Sequence, residues 1–352
     1  MSTLDIGFAT GRGADGGPRA RTTGAFRARR DARRYWLLLL LFLGVGIAAT
    51  LGLILYHNPV TVDSPSFIPV VKRRLTAVAA MFISALCHSF ATVTFQSVTG
   101  NRVITPSLLG YESLYSFIQT SVLFFFGATA LVRFSGTGAF FLQVALMIAL
   151  SLILFGWLLS GRYGNLHLML LIGIIIGAGL NAVSGFMRRV LSPSEFDLLQ
   201  SRLIGSVNNA DAEYFPIVIP LVLATVLALF LLSRRLNVLS LGRDTATAFG
   251  VNYQAHVLLF LVLIAVLMAT TTALIGPMTF FGFLVAMLSY QAAPTFDHRY
   301  VLPMAFAIGF GILTSAYFLL YHVFHAQTVV SVLIELFGGI AFLTVLLRKR
   351  SL

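Results

Sequence analysis

The 352-residue chain is 58% hydrophobic and only 10% charged, with a mean hydropathy of +0.91. A soluble domain carries roughly 25% charged residues, so this chain has too little polar surface to face water on all sides, which excludes an ordinary water-soluble enzyme or binding module. Its net charge of +12 reports membrane topology before nucleic-acid binding, and a single cysteine, Cys87, excludes an intramolecular disulfide or a cysteine metal cluster.

The first 34 residues are polar and arginine-rich, with Gly11, Gly13, Gly16, Gly17 and Pro18 breaking any periodicity. Residues 1–35 are therefore expected to form a disordered, basic cytoplasmic tail whose arginines hold the N-terminus inside or meet anionic lipid. The apolar run from Trp36 is long enough to span, which argues against a cleaved signal peptide. Residues 36–352 read as one all-α domain, a polytopic membrane helical bundle of about ten transmembrane helices. The expected spans are 36–56, 71–97, 107–130, 139–160, 166–187, 214–233, 254–275, 278–293, 301–322 and 329–347. The eighth opens at Gly276-Pro277 and is short, as a tilted or partial span would be. Segment 188–213 is the longest outer connection. In it, Pro193 followed by Glu195 signals a helix start, and Phe196, Leu199, Leu203 and Ile204 give an apolar face suited to the membrane surface. With both termini cytoplasmic, most of the 24 basic residues fall inside, including Arg102, Arg162, Arg234, Arg235, Arg243 and Arg299.

No Walker phosphate loop, His-Glu-x-x-His helix or nucleophile elbow is present, so no catalytic residue and no metal site are assigned. His322 and His325 suit interfacial anchoring better than metal ligation. Gln96, Glu112, Gln119, Asn181 and Glu335 are polar positions inside spans, where burial is costly and side chains turn towards the bundle interior. Glu112 and Glu335 would be the relay carboxylates of a proton-coupled carrier; otherwise they sit near span ends or pair within the bundle. Gly173, Gly177 and Gly179, with Ala178, permit close helix packing. Two outer clusters, Lys72-Arg73-Arg74 and Arg188-Arg189, run against the positive-inside trend. They suit an anionic substrate, an acidic docking partner or lipid phosphates. The polar island 233–251 has its own logic: Arg234 and Arg235, then Gly242, Asp244 at a helix start and Gly250 as a stop. It reads as a short capped helix between two spans, a rigid knob for a partner protein, or as a charged connecting loop.

Four motifs in order give the chain a resemblance to the FecCD family of ABC-transporter permeases. Arg73-Arg74-Leu75 opens the second span, which ends at Gln96; Asn101, Pro106 and Leu108-Leu109-Gly110 follow. Leu236-Asn237 through Leu241-Gly242 and Asp244 to Phe249-Gly250 is similar to the family's ATPase-coupling segment. Gly276-Pro277-Met278-Thr279-Phe280-Phe281-Gly282 is similar to its Gly-Pro-Ile-x-Phe-x-Gly signature. The resemblance covers residues from about 36 to the C-terminus and implies a type II ABC importer permease fold. It implies a permease subunit carrying a ferric siderophore across the bacterial cytoplasmic membrane, with haem, vitamin B12 or another metal chelate as the alternative cargo. The partners implied are a second permease subunit, a cytoplasmic ABC ATPase holding ATP and Mg, and an extracytoplasmic binding protein docked on Lys72, Arg73, Arg74, Arg188 and Arg189. No cofactor on this chain and no nucleic acid are implied. Arg102 stands in place of a proline, and Tyr111-Glu112-Ser113-Leu114-Tyr115 in place of small residues, a pattern that favours a heterodimer over a homodimer. Arg243 stands where an acid is common, and Leu320, Tyr321, His322 and Gln327 replace charged docking residues. A proton-coupled secondary carrier and a non-transporting scaffold are the rival classes.

Overall fold

The computed structural model describes residues 24–56, 65, 67–133, 136–160, 166–324 and 330–350. The expected tail up to residue 23, Arg162, His325 and Gln327 lie outside the described residues. The elements in order are α1 (Arg29–Leu55), α2 (Phe67–Thr99), α3 (Tyr111–Arg133), α4 (Thr137–Ser160), α5 (Leu166–Val190), α6 (Pro193–Leu203) and α7 (Phe215–Leu231). They continue with α8 (Ser233–Leu239), α9 (Arg243–Ala248), α10 (Tyr253–Ile275), α11 (Phe281–Ala292), α12 (His298–Phe318) and α13 (Val330–Arg350). Each expected span coincides with a helix. Among the described residues, six helical stretches are long and apolar enough to cross a membrane, and three apolar helices are shorter.

The bundle is built round α2, which packs against α1, α7, α10, α11 and α12. Its side chains explain that position: Ser84, His88, Ser89, Thr92, Thr94 and Gln96 are all buried, and polar groups are cheapest inside the protein, away from lipid. In contrast α1, almost wholly apolar after its arginine-rich first turns, leaves Leu37, Leu40, Leu41, Ile47 and Leu51 exposed on its outer flank, as a lipid-facing helix would.

Part of the stretch expected as a tail, residues 24–35, is described. α1 begins at Arg29, and residues just before it are fixed at the same end of the bundle. Phe26 packs against Tyr35 and Tyr300 at centroid distances of 5.4 and 4.8 Å. The Ala25 carbonyl accepts from the Thr295 hydroxyl at 2.6 Å, and the Tyr35 hydroxyl donates to the Tyr300 carbonyl at 3.0 Å. Aromatic side chains in an arginine-rich stretch supply the apolar area that the polar composition lacks.

α6 has the start expected of it: Ser192 caps its first turn while the Glu195 carboxylate accepts from the Ser192 backbone N–H, a reciprocal capping box. Leu199 is its buried anchor, and it rests on α3.

The connection between α2 and α3 doubles back into the bundle. The Arg102 guanidinium lies 4.7 Å from the ring of Tyr290, near the C-terminal end of α11. Glu112, in the first turn of α3, bonds residues Met278 and Thr279 just before the start of α11. Residues 102–110 therefore retrace the length of α11, non-helical except for a 3₁₀ turn at Pro106–Leu109. Such irregular backbone is tolerated at membrane depth only when protein surrounds it, and Thr105, Pro106, Ser107 and Leu109 are buried.

Candidate functional site

Two constructions stand out: a knob at the end of the bundle where α1 begins, and a polar cavity between α3, α5, α6 and the break before α11.

The knob is α8–α9. Leu236, Leu239 and Ala246 are buried and seat it on the bundle. Gly242, at φ +96°, turns the chain between the two helices and caps α9 through its carbonyl, which accepts from Ala246 N–H at 3.0 Å. Asp244, expected at the helix start, instead lies inside the first turn, where a carboxylate still favours the positive end of the helix dipole. The stop at Gly250 is as expected. With φ at +76° it lets Gly250 N–H reach the Thr247 carbonyl (2.9 Å) and Val251 N–H the Ala246 carbonyl (3.1 Å), the paired bonds of a Schellman motif. Between these glycines the knob presents apolar side chains outward: Leu241 is 59% exposed and Phe249 70%. Among the predicted coupling residues, Leu241, Gly242, Asp244, Phe249 and Gly250 thus form the free tip. Leu236 and Asn237 belong to the attachment.

That attachment is polar. Asn237 donates from Nδ2 to Asp297 Oδ1 at 3.0 Å, and its Oδ1 accepts from the His298 backbone N–H at 3.0 Å and from His298 Nδ1 at 2.5 Å. His298 Nε2 lies 2.6 Å from the Ser97 hydroxyl of α2, which is also 2.8 Å from the Val93 carbonyl on its own helix. Asp297 caps α12 and holds Arg299 through a 2.6 Å ion pair. Burial works against the charge of Asp297, but hydrogen bonds from Arg299 and Asn237 outweigh it and hold the carboxyl below the usual aspartate range. Sequence reasoning passed over Asp297, His298 and Ser97; an Asp immediately before an apolar helical run was the available signal for the cap.

The cavity, about 470 Å³, is lined by Ser107, Glu112, Ser113, Ser116, Asn181, Arg188, Gln200 and Thr279 among others. Glu112 is bound on both oxygens: Oε1 accepts from Met278 N–H at 3.2 Å and Oε2 from the Thr279 hydroxyl. These bonds satisfy the chain where Gly276-Pro277 interrupts helix between α10 and α11. The break is also pinned from α6: Ser206 N–H donates to the Ile275 carbonyl at 2.6 Å, and a Cβ on Gly205 would stand 2.2 Å from the Pro277 oxygen. Asn181 donates to the Ser113 hydroxyl at 2.8 Å, and Gln119 pairs with Gln143 at 2.9 Å. Glu335, on α13, is half-buried. Gly110 and Gly177 meet backbone to backbone, a Cβ on Gly177 standing 3.1 Å from the Gly110 Cα; Gly173 abuts Leu109, whereas Gly179 has open space.

The structure divides the remaining predicted site residues. Gln96 and Asn101 do not line the cavity. Gln96 donates to the Arg102 carbonyl at 2.8 Å and the Asn101 side chain accepts from Val103 N–H at 2.9 Å, so both tie the turn after α2. Pro106 starts the 3₁₀ turn and Gly110 ends it. Lys72 and Arg73 are exposed, but Arg74 turns inward and donates to the carbonyls of Ile54 and Tyr56 at 3.0 and 3.2 Å, closing the C-terminus of α1. Arg188 faces the cavity and holds the Ser184 carbonyl at 3.2 Å, while Arg189 is exposed. His322 stacks on Phe318 and packs against Tyr56 at 5.0 and 5.6 Å.

A central polar helix, a broken helix pair and a terminal knob define a multi-span membrane permease of the ABC type. The fold agrees with the solved inward-facing structure of a protein assigned as a metal-chelate type ABC transporter, with a TM-score of 0.70 at 22% identity, over 90% of this chain and 99% of that one. Residues 30–348 match the FecCD transport family, and the chain belongs to that family. It is 65% identical to the petrobactin import system permease protein FatC of Bacillus anthracis over 333 residues, 95% of this chain and 94% of the relative. It is 27% identical to the petrobactin import system permease protein FatD of the same organism over 279 residues, 79% of this chain and 81% of the relative.

Proposed function

We propose that this chain is one permease subunit of an ATP-driven importer that carries a ferric siderophore of the petrobactin type across the bacterial cytoplasmic membrane. The observation that carries this is the 65% identity, spread over 95% of the chain, to a petrobactin import permease. The second subunit is a different permease of the same family, because the relatives include two distinct petrobactin import permeases from one organism and this chain is much more similar to one of them. Together the two subunits enclose the path, with the polar cavity of Glu112, Asn181 and Arg188 opening on it.

The knob end faces the cytoplasm, in keeping with Arg29, Arg30, Arg234, Arg235, Arg243 and Arg299 clustered there and with both termini inside. An ATPase holding ATP and Mg receives Leu241 and Phe249 in an apolar groove and moves α8–α9 as a rigid piece when it closes. An acidic binding protein docks at the opposite end on Lys72, Arg73 and Arg189. The permease contributes packing changes rather than bond chemistry, so ligands act through their differential affinity for its states. Because both Glu112 oxygens are engaged by the α11 break, proton coupling through that residue is disfavoured.

The test is uptake of radiolabelled iron from a panel of siderophores in a strain lacking this gene, with ATP or the proton gradient collapsed in parallel. Loss of one chelate class, restored by the gene and dependent on ATP, is expected. Uptake that follows the proton gradient alone would overturn the mechanism, and undiminished siderophore uptake would move the cargo to haem or cobalamin.

A further inference from the structure

The attachment of the knob has more hydrogen bonding than seating requires, and it continues past the seat. Three residues from separate elements meet there in series: Asn237 of α8, His298 at the start of α12, and Ser97 near the end of α2. The imidazole is buried, and both ring nitrogens are used, one towards each neighbour. Beside Ser97, Gln96 donates to the Arg102 carbonyl at 2.8 Å, and the Arg102 guanidinium lies over the Tyr290 ring of α11. Arg102 is the root of the segment 102–112, whose far end places Ser107 and Glu112 in the cavity wall.

We propose that Asn237, His298 and Ser97 are the transmission contact of this permease, passing displacement of the knob through Gln96 and Arg102 into the re-entrant segment that lines the cavity. The inference rests on the importer function proposed above and adds the residues through which ATPase movement reaches the substrate path.

The physical reason is directional. A leucine seat slides, because dispersion contacts have no preferred orientation, whereas a side chain bonded on both sides must move with both partners or leave buried polar groups unpaired. When the knob shifts, Asn237 draws His298, and His298 draws α2 through Ser97. α2 is the central helix, so its lower end is also where the smallest rotation reaches most of the bundle. Segment 102–112 follows because Gln96, the residue before Ser97 on α2, holds the Arg102 carbonyl. None of these three residues need touch the ATPase or the cargo. They are positioning residues.

Two experiments test this. The first uses the complete importer, with its partner permease and ATPase, in proteoliposomes, and reads iron chelate transported per ATP hydrolysed. Ser97→Ala and His298→Ala should each keep ATP hydrolysis while the ratio falls roughly ten-fold, within the range of measured coupling between sites. Ser97→Thr, which retains the hydroxyl, should restore it. An unchanged ratio, or transport and hydrolysis falling together, would overturn the proposal. Should His298→Ala fail to fold, Ser97→Ala carries the test. The second experiment needs no cargo: a double-mutant cycle of Asn237→Ala and Ser97→Ala on thermal unfolding of the purified chain. Non-additive shifts are expected although the two residues meet only through His298, and additive shifts would overturn the relay. Absence of ATP-driven uptake by the wild-type complex would sink the importer function and leave the relay to be judged by this cycle.

Discussion

Replacing Glu112 separates a structural clamp from a proton carrier. In Glu112→Leu, Met278 N–H and the Thr279 hydroxyl both lose their acceptor at the break before α11. Each orphaned buried group costs about 1–3 kcal/mol. The Thr279 hydroxyl can rotate towards a backbone carbonyl, so the combined loss should be about 2–4 kcal/mol. Glu112→Gln keeps one acceptor oxygen and should lose about 1–2 kcal/mol. Thermal unfolding of the purified chain in detergent would order the proteins wild type, Gln variant, Leu variant, while iron-chelate uptake by the Gln variant stays close to the wild-type level. A Gln variant that is fully stable but does not transport would refute the clamp, because the lost acceptor would have cost no stability and the defect would lie with the lost charge and titratable proton. A Leu variant as stable as wild type would refute it from the other side.

Four further outcomes are expected. Arg74→Ala removes both bonds to the last carbonyls of α1 and should lower stability by about 1–3 kcal/mol in the same unfolding assay; Arg73→Ala should leave stability unchanged and weaken binding-protein association in a salt-dependent manner. Phe249→Asp or Leu241→Asp, both at exposed positions of the knob, should leave the fold intact and abolish co-purification of the ATPase. Gly250→Val forces a β-branched residue into the left-handed region at φ +76° and should cost about 1–2 kcal/mol, with ATP hydrolysis uncoupled from uptake. Asp297 has a folded-state pKa below its ordinary 3.8, so its stabilisation is present above that value and is lost as pH falls through the folded value. Thermal scans taken downward from pH 3.8 should show the wild type losing this increment and Asp297→Asn showing no such loss.

The spans were legible because apolar length is a one-dimensional property, and the knob because glycine and aspartate punctuation is local. Gly250 is readable as a stop from its own neighbours, and the Schellman bonds require nothing else. The cavity was not readable in this way. Glu112 stands out in the sequence as a carboxylate in an apolar run, which admits a proton relay and a clamp equally; only the approach of Met278 and Thr279, far along the chain, decides between them. Arg74 failed for the related reason that a cation opening a span looks alike whether it faces a partner or closes the helix beside it.

Gln96, Asn101 and Gly110 show the sharper limit. They were grouped as one motif because they occur in order, and the structure spreads them along a chain that turns back on itself. Gln96 and Asn101 close the turn next to the knob, whereas Gly110 lies against Gly177 beside the cavity. Sequence order alone gives no sign of re-entry, since the stretch 102–110 is too short to span and too apolar to read as a surface loop. The sign is energetic and lies elsewhere: Gly276-Pro277 delays the start of α11, and the shortened α11 leaves a slot that non-helical backbone fills. A broken span and an apolar non-periodic stretch in one membrane protein are therefore best read as a pair, each making room for the other. Here the pairing joins the end of the bundle that carries the knob to the wall of the cavity.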